Sequence, residues 1–569
     1  MIWNAVKNNF FKVRIYEKEL KISRIMASIL LSLGVTLDES RALLNEPQEL
    51  LDTESKICGE EEIVRHLLDQ ENRTVKIFAD YDVDGLMSGY ILNDYLSSIG
   101  LNSEVYYPSR EEGYGLNIDW TKKVAEENDP SKLTVITIDN GITAHEPVKF
   151  LRDKGAQVYI IDHHEPIDVN SLPDANAICD AWIDRKYGTH LCAAAVALKI
   201  VYHMEKKYPD EVLTAYMPFA ALATISDVMP GCPENRAIVQ LGLNIINMMY
   251  EESPLYALLK SEGLKKLRAK DVAWNITPMI NACSRMNEIE TAKRLLDTSK
   301  EYKFEEKLNL ARKISGLNKK RKLLTEKAVQ EIFEENTFEK DLVAFADATK
   351  YPTGIIGIIA SKLCEVTGKP SIVYQSQEDV GYGSARAPQG VDIKSIINYE
   401  AAQGNAIIAL GHAEACGVQI IPSKIKDFNE DLLSSSIICT PEEPEEQEIC
   451  VHALITVDDI NAGIKKEIDS FGYTSKEIPT LGLFNVKVEP VIWATSSGKT
   501  HIIFRMKDSK GKDKYAVAWN GYEAYKELGE PRRMNFGGEL DNGAFCRYCK
   551  EVSITEHTTI FTISRMGKA

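Results

Sequence analysis

Three short apolar runs constrain this chain more tightly than any other feature of it. VKIFAD (75–80), LTVITID (133–139) and AQVYIID (156–162) are each six or seven residues long, rich in β-branched side chains, and end in aspartate. Runs this short and this apolar suit strands buried on both faces, and helical stretches separate them, so the segment predicts an α/β domain with a parallel sheet. In a parallel sheet every C-terminal strand end lies along one edge, where α/β proteins place their ligands. The residues just beyond those three strand ends are therefore expected to converge.

Those residues carry chemistry. The first strand continues as FADYDVDGLMSG, putting Asp80, Asp82 and Asp84 two residues apart and on one face if the backbone stays extended. Carboxylates so close repel one another unless cations neutralise them. A calcium loop would share the first six positions, but Ile91 stands where its bidentate glutamate belongs. A surface acidic loop is the other bland alternative. The second strand delivers Asp139-Asn140-Gly141, and the third Asp162-His163-His164-Glu165. A lone strand-end aspartate is usually a helix cap; several carboxylates and two histidines at three strand ends are not explained that way. Asp227 adds a carboxylate after the apolar helix YMPFAALATIS. Mixed Asp and His donors suit manganese or magnesium better than a thiolate-bound zinc, and two such cations can generate hydroxide and stabilise in-line phosphoryl transfer.

The rest of the chain reads as further domains. Residues 1–74 have helical spacing and give no chemistry, and 75–300 hold the α/β domain. Residues 301–337 predict one long amphipathic helix through Leu310, Ile314, Leu317, Leu324 and Ala328, with dense charge elsewhere suggesting a largely solvated connection. A second α/β segment comes next at 338–435, then an acidic, proline-containing linker at 436–448. Short alternating strands at 449–525 suggest a small antiparallel barrel, followed by a C-terminal extension at 526–569. Trp493, Phe504 and Trp519 could stack bases there or serve as core. Cys546 and Cys549 have CxxC spacing without further ligands nearby, and read as ordinary thiols.

With 569 residues and 44% hydrophobic composition, the chain is neither disordered nor a rod. Its formal charge of -17 does not advertise nucleic-acid binding, although a local basic groove can sit on an acidic body. Eleven cysteines are too sparse for a disulfide framework. No signal-peptide h-region or bilayer-length apolar run is present, so a cytoplasmic protein with no membrane association is expected.

The motifs DYDVDG, IDNG, IDHHEP and ISDVMP, in that order, resemble those of the DHH phosphoesterase superfamily. Later segments narrow the resemblance to its RecJ-like single-stranded-DNA-specific exonucleases. Pro278–Arg285 resembles PRINAAGR, Gly354–Ser361 resembles GVIGIVAS, Gly383–Arg386 reads GSAR, and Gly411-His412 opens a segment similar to GGHxxAxG. Departures are Met279 and Ser284 in the first, Leu410 for a glycine in the last, and Tyr351-Pro352 where Trp-His is common. The resemblance implies a DHH-type parallel-sheet domain, a connecting helix, a DHH-associated α/β domain and an OB-like β-barrel. It implies that Asp82, Asp84, Asp139, His163 and Asp227 hold two divalent cations, Mn2+ or Mg2+, with Asp80 in or beside the same shell. Catalysis would rest on Asp139, His163 and His164, the last facing the scissile phosphate or supporting the site. Asn281, Arg285, Ser384, Arg386, Gly411 and His412 would hold the substrate. The implied reaction is 5′-to-3′ hydrolysis of single-stranded DNA to 5′-mononucleotides, with a single-strand-binding protein or a helicase as further partners. A phosphodiesterase of short oligonucleotides or cyclic dinucleotides, and a non-catalytic replication scaffold, are the alternatives.

Overall fold

A computed structural model describes the chain apart from residues 1, 7, 70–72, 185, 187–189, 249–252, 298–302, 337, 339–340, 435–447, 475–476, 495–499, 544–551, 553 and 556. The acidic stretch 436–447 and the Cys546/Cys549 pair therefore lie outside the described residues.

The three apolar runs form β1 (Thr74–Ala79), β3 (Leu133–Ile138) and β4 (Gln157–Asp162). With β2 (Asn102–Tyr106) and β5 (Ala177–Asp180) they make a sheet of order β2-β1-β3-β4-β5. Every pairing is parallel. β3, at the centre, is buried at all its positions, as its unbroken apolar run requires. Strand order reverses between β1 and β3, and such a switch point opens a crevice at the C-terminal strand ends. Helices α1 (Val83–Ser98), α2 (Ala193–Met204) and α3 (Pro209–Ser226) pack together beside it. The extended backbone that would align Asp80, Asp82 and Asp84 does not persist. α1 begins at Val83 with Asp82 as its N-cap, because Asp in that position satisfies helix N–H groups that a continued strand would leave unused.

Further along, α4 (Thr277–Arg285) leads to α5 (Phe304–Glu335), the expected long helix. Leu308, Ala311, Ile314, Ala328 and Ile332 line its buried face, together with Ser315, Asn318 and Thr325. α5 packs on α4 and on α6 (Ile356–Thr367) and is less solvated than its charge suggested. A second sheet comes after it: β6 (Ala344–Asp347), β7 (Ser371–Gln377), β8 (Val380–Arg386), β9 (Ala406–Gly411) and β10 (Ala415–Ile420), in the order β9-β10-β8-β7-β6. These elements belong to one compact unit, residues 53–229 and 244–444.

The other unit gathers residues 1–52, 230–243 and 445–569. Its sheet has seven strands: β11 (Ala453–Ile455), β12 (Leu481–Lys487), β13 (Glu489–Ala494), β14 (Thr500–Lys507), β15 (Asp513–Ala518), β16 (Arg533–Asn542) and β17 (Thr559–Lys568). Their order is β11-β12-β16-β17-β15-β14-β13, with β11–β12 and β15–β17 parallel. The expected small antiparallel barrel ending at 525 is thus a larger mixed sheet, and the supposed extension supplies two of its inner strands. Met534, Phe536 and Leu540 alternate inward as a strand should, but a register shift at Gly537/Gly538 interrupts the pattern. Phe504 is core, not a stacking surface. Ile25, Met26, Ile29 and Leu30 of the helix Arg24–Ser32 share that core with Leu481, Phe504, Phe536 and Phe561. Residues 1–74 are therefore not one region: 1–52 fold with the C-terminal sheet and 53–74 with the first.

Candidate metal and phosphate site

Three turns and one helix end build the site. After β1, Asp82 caps α1, its Oδ1 accepting from the N–H groups of Asp84 (2.9 Å) and Gly85 (3.2 Å). Gly85 is required: a Cβ there would sit 2.4 Å from the carbonyl oxygen of Asp80. Asp84 faces inward from the first turn and accepts the first two N–H groups of α2, from Ala193 at 2.7 Å and Ala194 at 2.8 Å. The free donors and positive end of that helix hold a carboxylate well. Asp139, after β3, takes a left-handed backbone with φ 62°. After β4, Asp162 turns away from the cluster and clasps the next loop, accepting from the His163 N–H (2.8 Å), His164 N–H (3.2 Å) and His164 Nδ1 (2.7 Å) through Oδ1, and from the Ile142 N–H (3.1 Å) through Oδ2.

These turns aim one set of atoms at a common point. His163 Nε2 lies 3.2 Å from Asp139 Oδ1, 3.5 Å from Asp84 Oδ2 and 3.7 Å from Asp227 Oδ2. Ligand atoms of Asp84, His163 and Asp227 fall within 4.8 Å of one another, as do those of Asp80, Asp82 and Asp139, and those of Asp139, His163 and His164. Asp139 thus belongs to the neighbourhoods of both aspartate groups. Asp80 Oδ1, Asp139 Oδ1 and His163 Nε2 are buried without a hydrogen-bond partner. Burial, then repulsion from Asp82, pushes the Asp80 carboxyl up to about 8. Burial and the neighbouring Asp84 push Asp139 well above the carboxylate range. Positive charge among these groups would reverse both shifts, and hard oxygen donors with one imidazole suit Mn2+ or Mg2+. The residues fit a pair of such cations.

His164 differs from His163. Burial alone would lower it, but the hydrogen bond and charge of Asp162 prevail and raise it to about 9. Its ring is held in place by a carboxylate, at the rim of the acidic cluster. The Tyr114 hydroxyl reaches the Asp139 carbonyl (3.3 Å) and approaches His164 Nε2 (3.4 Å). Sequence reading missed Tyr114; the signal was its flanking glycines, since Gly113 and Gly115 both take left-handed backbone.

A second cluster is cationic. The Arg110 guanidinium stacks over the Tyr81 ring, 4.2 Å from its centroid, and donates through Nε to Ser284 Oγ at 3.3 Å. Ser284, the departure from glycine, therefore has a use: it positions Arg110. Arg285 donates to the Gly354 carbonyl at 3.0 Å. Burial, then the charges of Arg110 and Arg321 and also Arg386, lowers Arg285 to about 9. Arg321, on α5, is gripped by Asn318 Oδ1 through Nε (3.1 Å) and Nη2 (2.9 Å). Among the described residues none of these four guanidiniums has a carboxylate partner. Unpaired, mutually repelling guanidiniums favour an anion, and phosphate matches their forked geometry. Arg110 stands in a segment without a motif and Arg321 is one of four adjacent basic residues, Lys319–Lys322, so neither stood out in the sequence.

The remaining predicted residues divide. Ser384 and Arg386 lie together on β8 against Gly357, where an added Cβ would meet Arg386 Nη2 at 3.1 Å and Ser384 Oγ at 3.3 Å. Asn281 is on the same helix as Arg285, with its Oδ1 buried and unpartnered. Gly411 ends β9 and His412 opens the turn to β10, both exposed. Leu410 beside them is 65% exposed.

Comparison with known proteins agrees with the motifs. Residues 74–224 match the model of the DHH family, N-terminal domain, so the chain carries a DHH domain. It is 29% identical over 410 residues to the single-stranded-DNA-specific exonuclease RecJ of Bacillus subtilis (strain 168), covering 69% of this chain and 50% of that protein. The chain spans about half the length of the first curated relatives it matches. Its fold is similar to that of RecJ in complex with Mn2+ from Thermus thermophilus, with a TM-score of 0.77 at 21% identity over 100% of this chain and 80% of that one. A crystal structure of exonuclease RecJ bound to manganese gives 0.58 at 26% identity, over 68% and 96%. Among the described residues no helix is long and apolar enough to cross a membrane.

Proposed function

We propose that this chain is a RecJ-like exonuclease that uses two divalent cations to remove 5′-mononucleotides from the 5′ end of single-stranded DNA. The observation that carries the reading is the convergence of three buried atoms that make no hydrogen bond, Asp80 Oδ1, Asp139 Oδ1 and His163 Nε2, in a domain that also holds four guanidiniums without a carboxylate partner among the described residues. The first set calls for cations and the second for phosphate.

Asp84, His163 and Asp227 would hold one cation, Asp80 and Asp82 the other, with Asp139 shared between them. When bound, such cations acidify water and neutralise charge on a phosphate. The protein's own groups do the rest. The N-terminus of α2 fixes Asp84 by two hydrogen bonds and opposes the upward pull of burial on its carboxyl. Asp162 holds His164 through Nδ1 and turns its ring toward the rim, where it donates to a non-bridging phosphate oxygen as negative charge builds there. Arg110, Arg285 and Arg386 take the terminal phosphate and so set the position of the next phosphodiester against the cations. Ser384, Asn281, Gly411 and His412 complete contacts to the same nucleotide.

This reading places the protein in the cytoplasm, consistent with eight described cysteines that are all free. It calls for a single-strand-binding protein or helicase to present the strand. The test is product analysis. End-labelled single-stranded DNA, duplex DNA, RNA and a cyclic dinucleotide are incubated with manganese or magnesium, and the products sized. Labelled mononucleotide released from 5′-labelled single strands at the earliest times is expected. Turnover confined to the cyclic dinucleotide, or none on any substrate, would refute it.

A further inference from the structure

α4 is entered through a π-helical turn, Val272–Ile276, which carries Trp274. Isolated apolar side chains on a surface are ordinary, but Trp274 is 69% exposed and has particular company. Pro278, Asn281 and Arg285 come after it at spacings of four, seven and eleven residues, which share a helical face. Trp274 is exposed and Pro278, Asn281 and Arg285 are half-buried, as is Thr277 between them, whereas Met279, Ile280, Ala282, Cys283 and Ser284 are buried. One stripe along a helical face therefore runs from an exposed indole, past a half-buried amide whose oxygen makes no hydrogen bond, to a half-buried guanidinium of the phosphate cluster. Single π-turns inside helices are uncommon and recur at functional sites; here the widened turn sets Trp274 at the open end of the stripe.

The stripe also has a direction. Thr277, in its first helical turn, is hydrogen-bonded to Ser226 at 2.5 Å, and Ser226 immediately precedes Asp227. The order along the helix is thus Arg285, then Asn281, then the flank of the metal-ligand cluster, then Trp274. Arg285 and Trp274 are separated by about 16 Å at the rise of an α-helix. A strand with its terminal phosphate on the arginines and its next phosphodiester at the acidic cluster would carry its remaining nucleotides toward the indole.

We infer that Trp274 is a stacking platform for a nucleobase on the 3′ side of the scissile bond, so that the π-turn and α4 form a track for the outgoing single strand. This rests on the proposed function and deepens it, assigning a residue that holds polymer rather than the reacting nucleotide. An aromatic face accepts any base, so the contact is sequence-tolerant and its loss is felt in affinity.

The test uses the full chain, with single-stranded DNA binding followed by anisotropy in calcium and cleavage followed in manganese, over substrates from two to about twenty nucleotides. Trp274→Ala should weaken binding of the long strands by about five- to a hundredfold, the range expected from losing one base–aromatic stack. The effect should appear in KM more than kcat and grow with strand length. Trp274→Phe should restore most of it, which a packing defect propagated to Arg285 would not allow. Wild-type affinity of Trp274→Ala for long strands would overturn the inference, as would an equal loss at every length. If the unaltered protein neither binds nor cleaves single strands, the proposed function itself fails, and the two failures are told apart by that control.

Discussion

Asp162 and Asp139 show how one residue type does opposite jobs two strand ends apart. Both are buried carboxylates, yet Asp162 receives four hydrogen bonds and is held below the usual range, while Asp139 Oδ1 receives none and Asp139 is pushed above it. For Asp162 burial is the largest influence and acts upward, but the His164 hydrogen bond and the nearby histidine charges overcome it. The first ties two loops together; the second is the carboxylate that, in the proposed function, cations would neutralise. The aspartates and histidines were legible from sequence because strand ends are legible. Arg285 and Arg386 were reached only through the motifs of the resemblance, and Arg110 and Arg321 not at all, because nothing in the spacing of the four announces that they meet. The division between the clusters makes a prediction. Arg386→Ala should leave manganese binding intact by calorimetric titration while lowering turnover on single-stranded DNA by roughly ten- to a thousandfold, as lost positioning and charge stabilisation would. Lost manganese affinity would mean that the phosphate and metal roles are not separable.

Among the elements, the helix Glu60–Leu68 shows how the first sheet is covered. Its His66 lies against Thr134 of β3, with Nε2 3.1 Å from Oγ1, and its ring is 4.5 Å from that of Tyr159 on β4. Burial first, and the Arg73 charge second, lower its pKa to about 4. The unfolded chain binds this proton near 6.5, so between about 4 and 6.5 the unfolded state carries more protons than the folded one. Stability from this group is complete above that window and is lost as pH falls through it. His66→Gln should therefore show a shallower fall in melting temperature between pH 7 and pH 4.5 than the unaltered protein; parallel profiles would show that His66 does not report acid sensitivity. The elements easiest to read were those with an unbroken period: β3, and α5 to within a few residues at either end. β16 and β17 escaped because Gly537 and Gly538 break the alternation of one strand, although the two strands pair with each other as neighbours in sequence.

At the scale of the molecule, no periodicity could have revealed that the chain's beginning folds onto its end. Arg236 shows the consequence. It donates to Glu39 and, through Nε at 3.0 Å, to Glu477, so segments 1–52, 230–243 and 445–569 meet at one buried guanidinium. Cutting a buried ion pair strands its partner, at a cost of about 3–5 kcal/mol. Removing residues 445–569 should therefore do more than weaken strand binding. It bares Ile25, Met26, Ile29 and Leu30, which share a core with the deleted sheet. The fragment 1–444 should bind a hydrophobic dye and elute as aggregate in size-exclusion chromatography. A monomer that melts cooperatively would show that the N-terminal helices do not depend on that sheet.

If the strand-end cluster holds two cations sharing Asp139, as proposed, manganese bound there shows itself by anomalous scattering. Crystals grown in manganese would be measured at the manganese absorption edge, and an anomalous difference map calculated. Two peaks are expected, one among Asp84, His163 and Asp227 and one beside Asp80 and Asp82, both in contact with the Asp139 carboxylate. A single peak, or two peaks of which only one touches Asp139, would contradict the proposal.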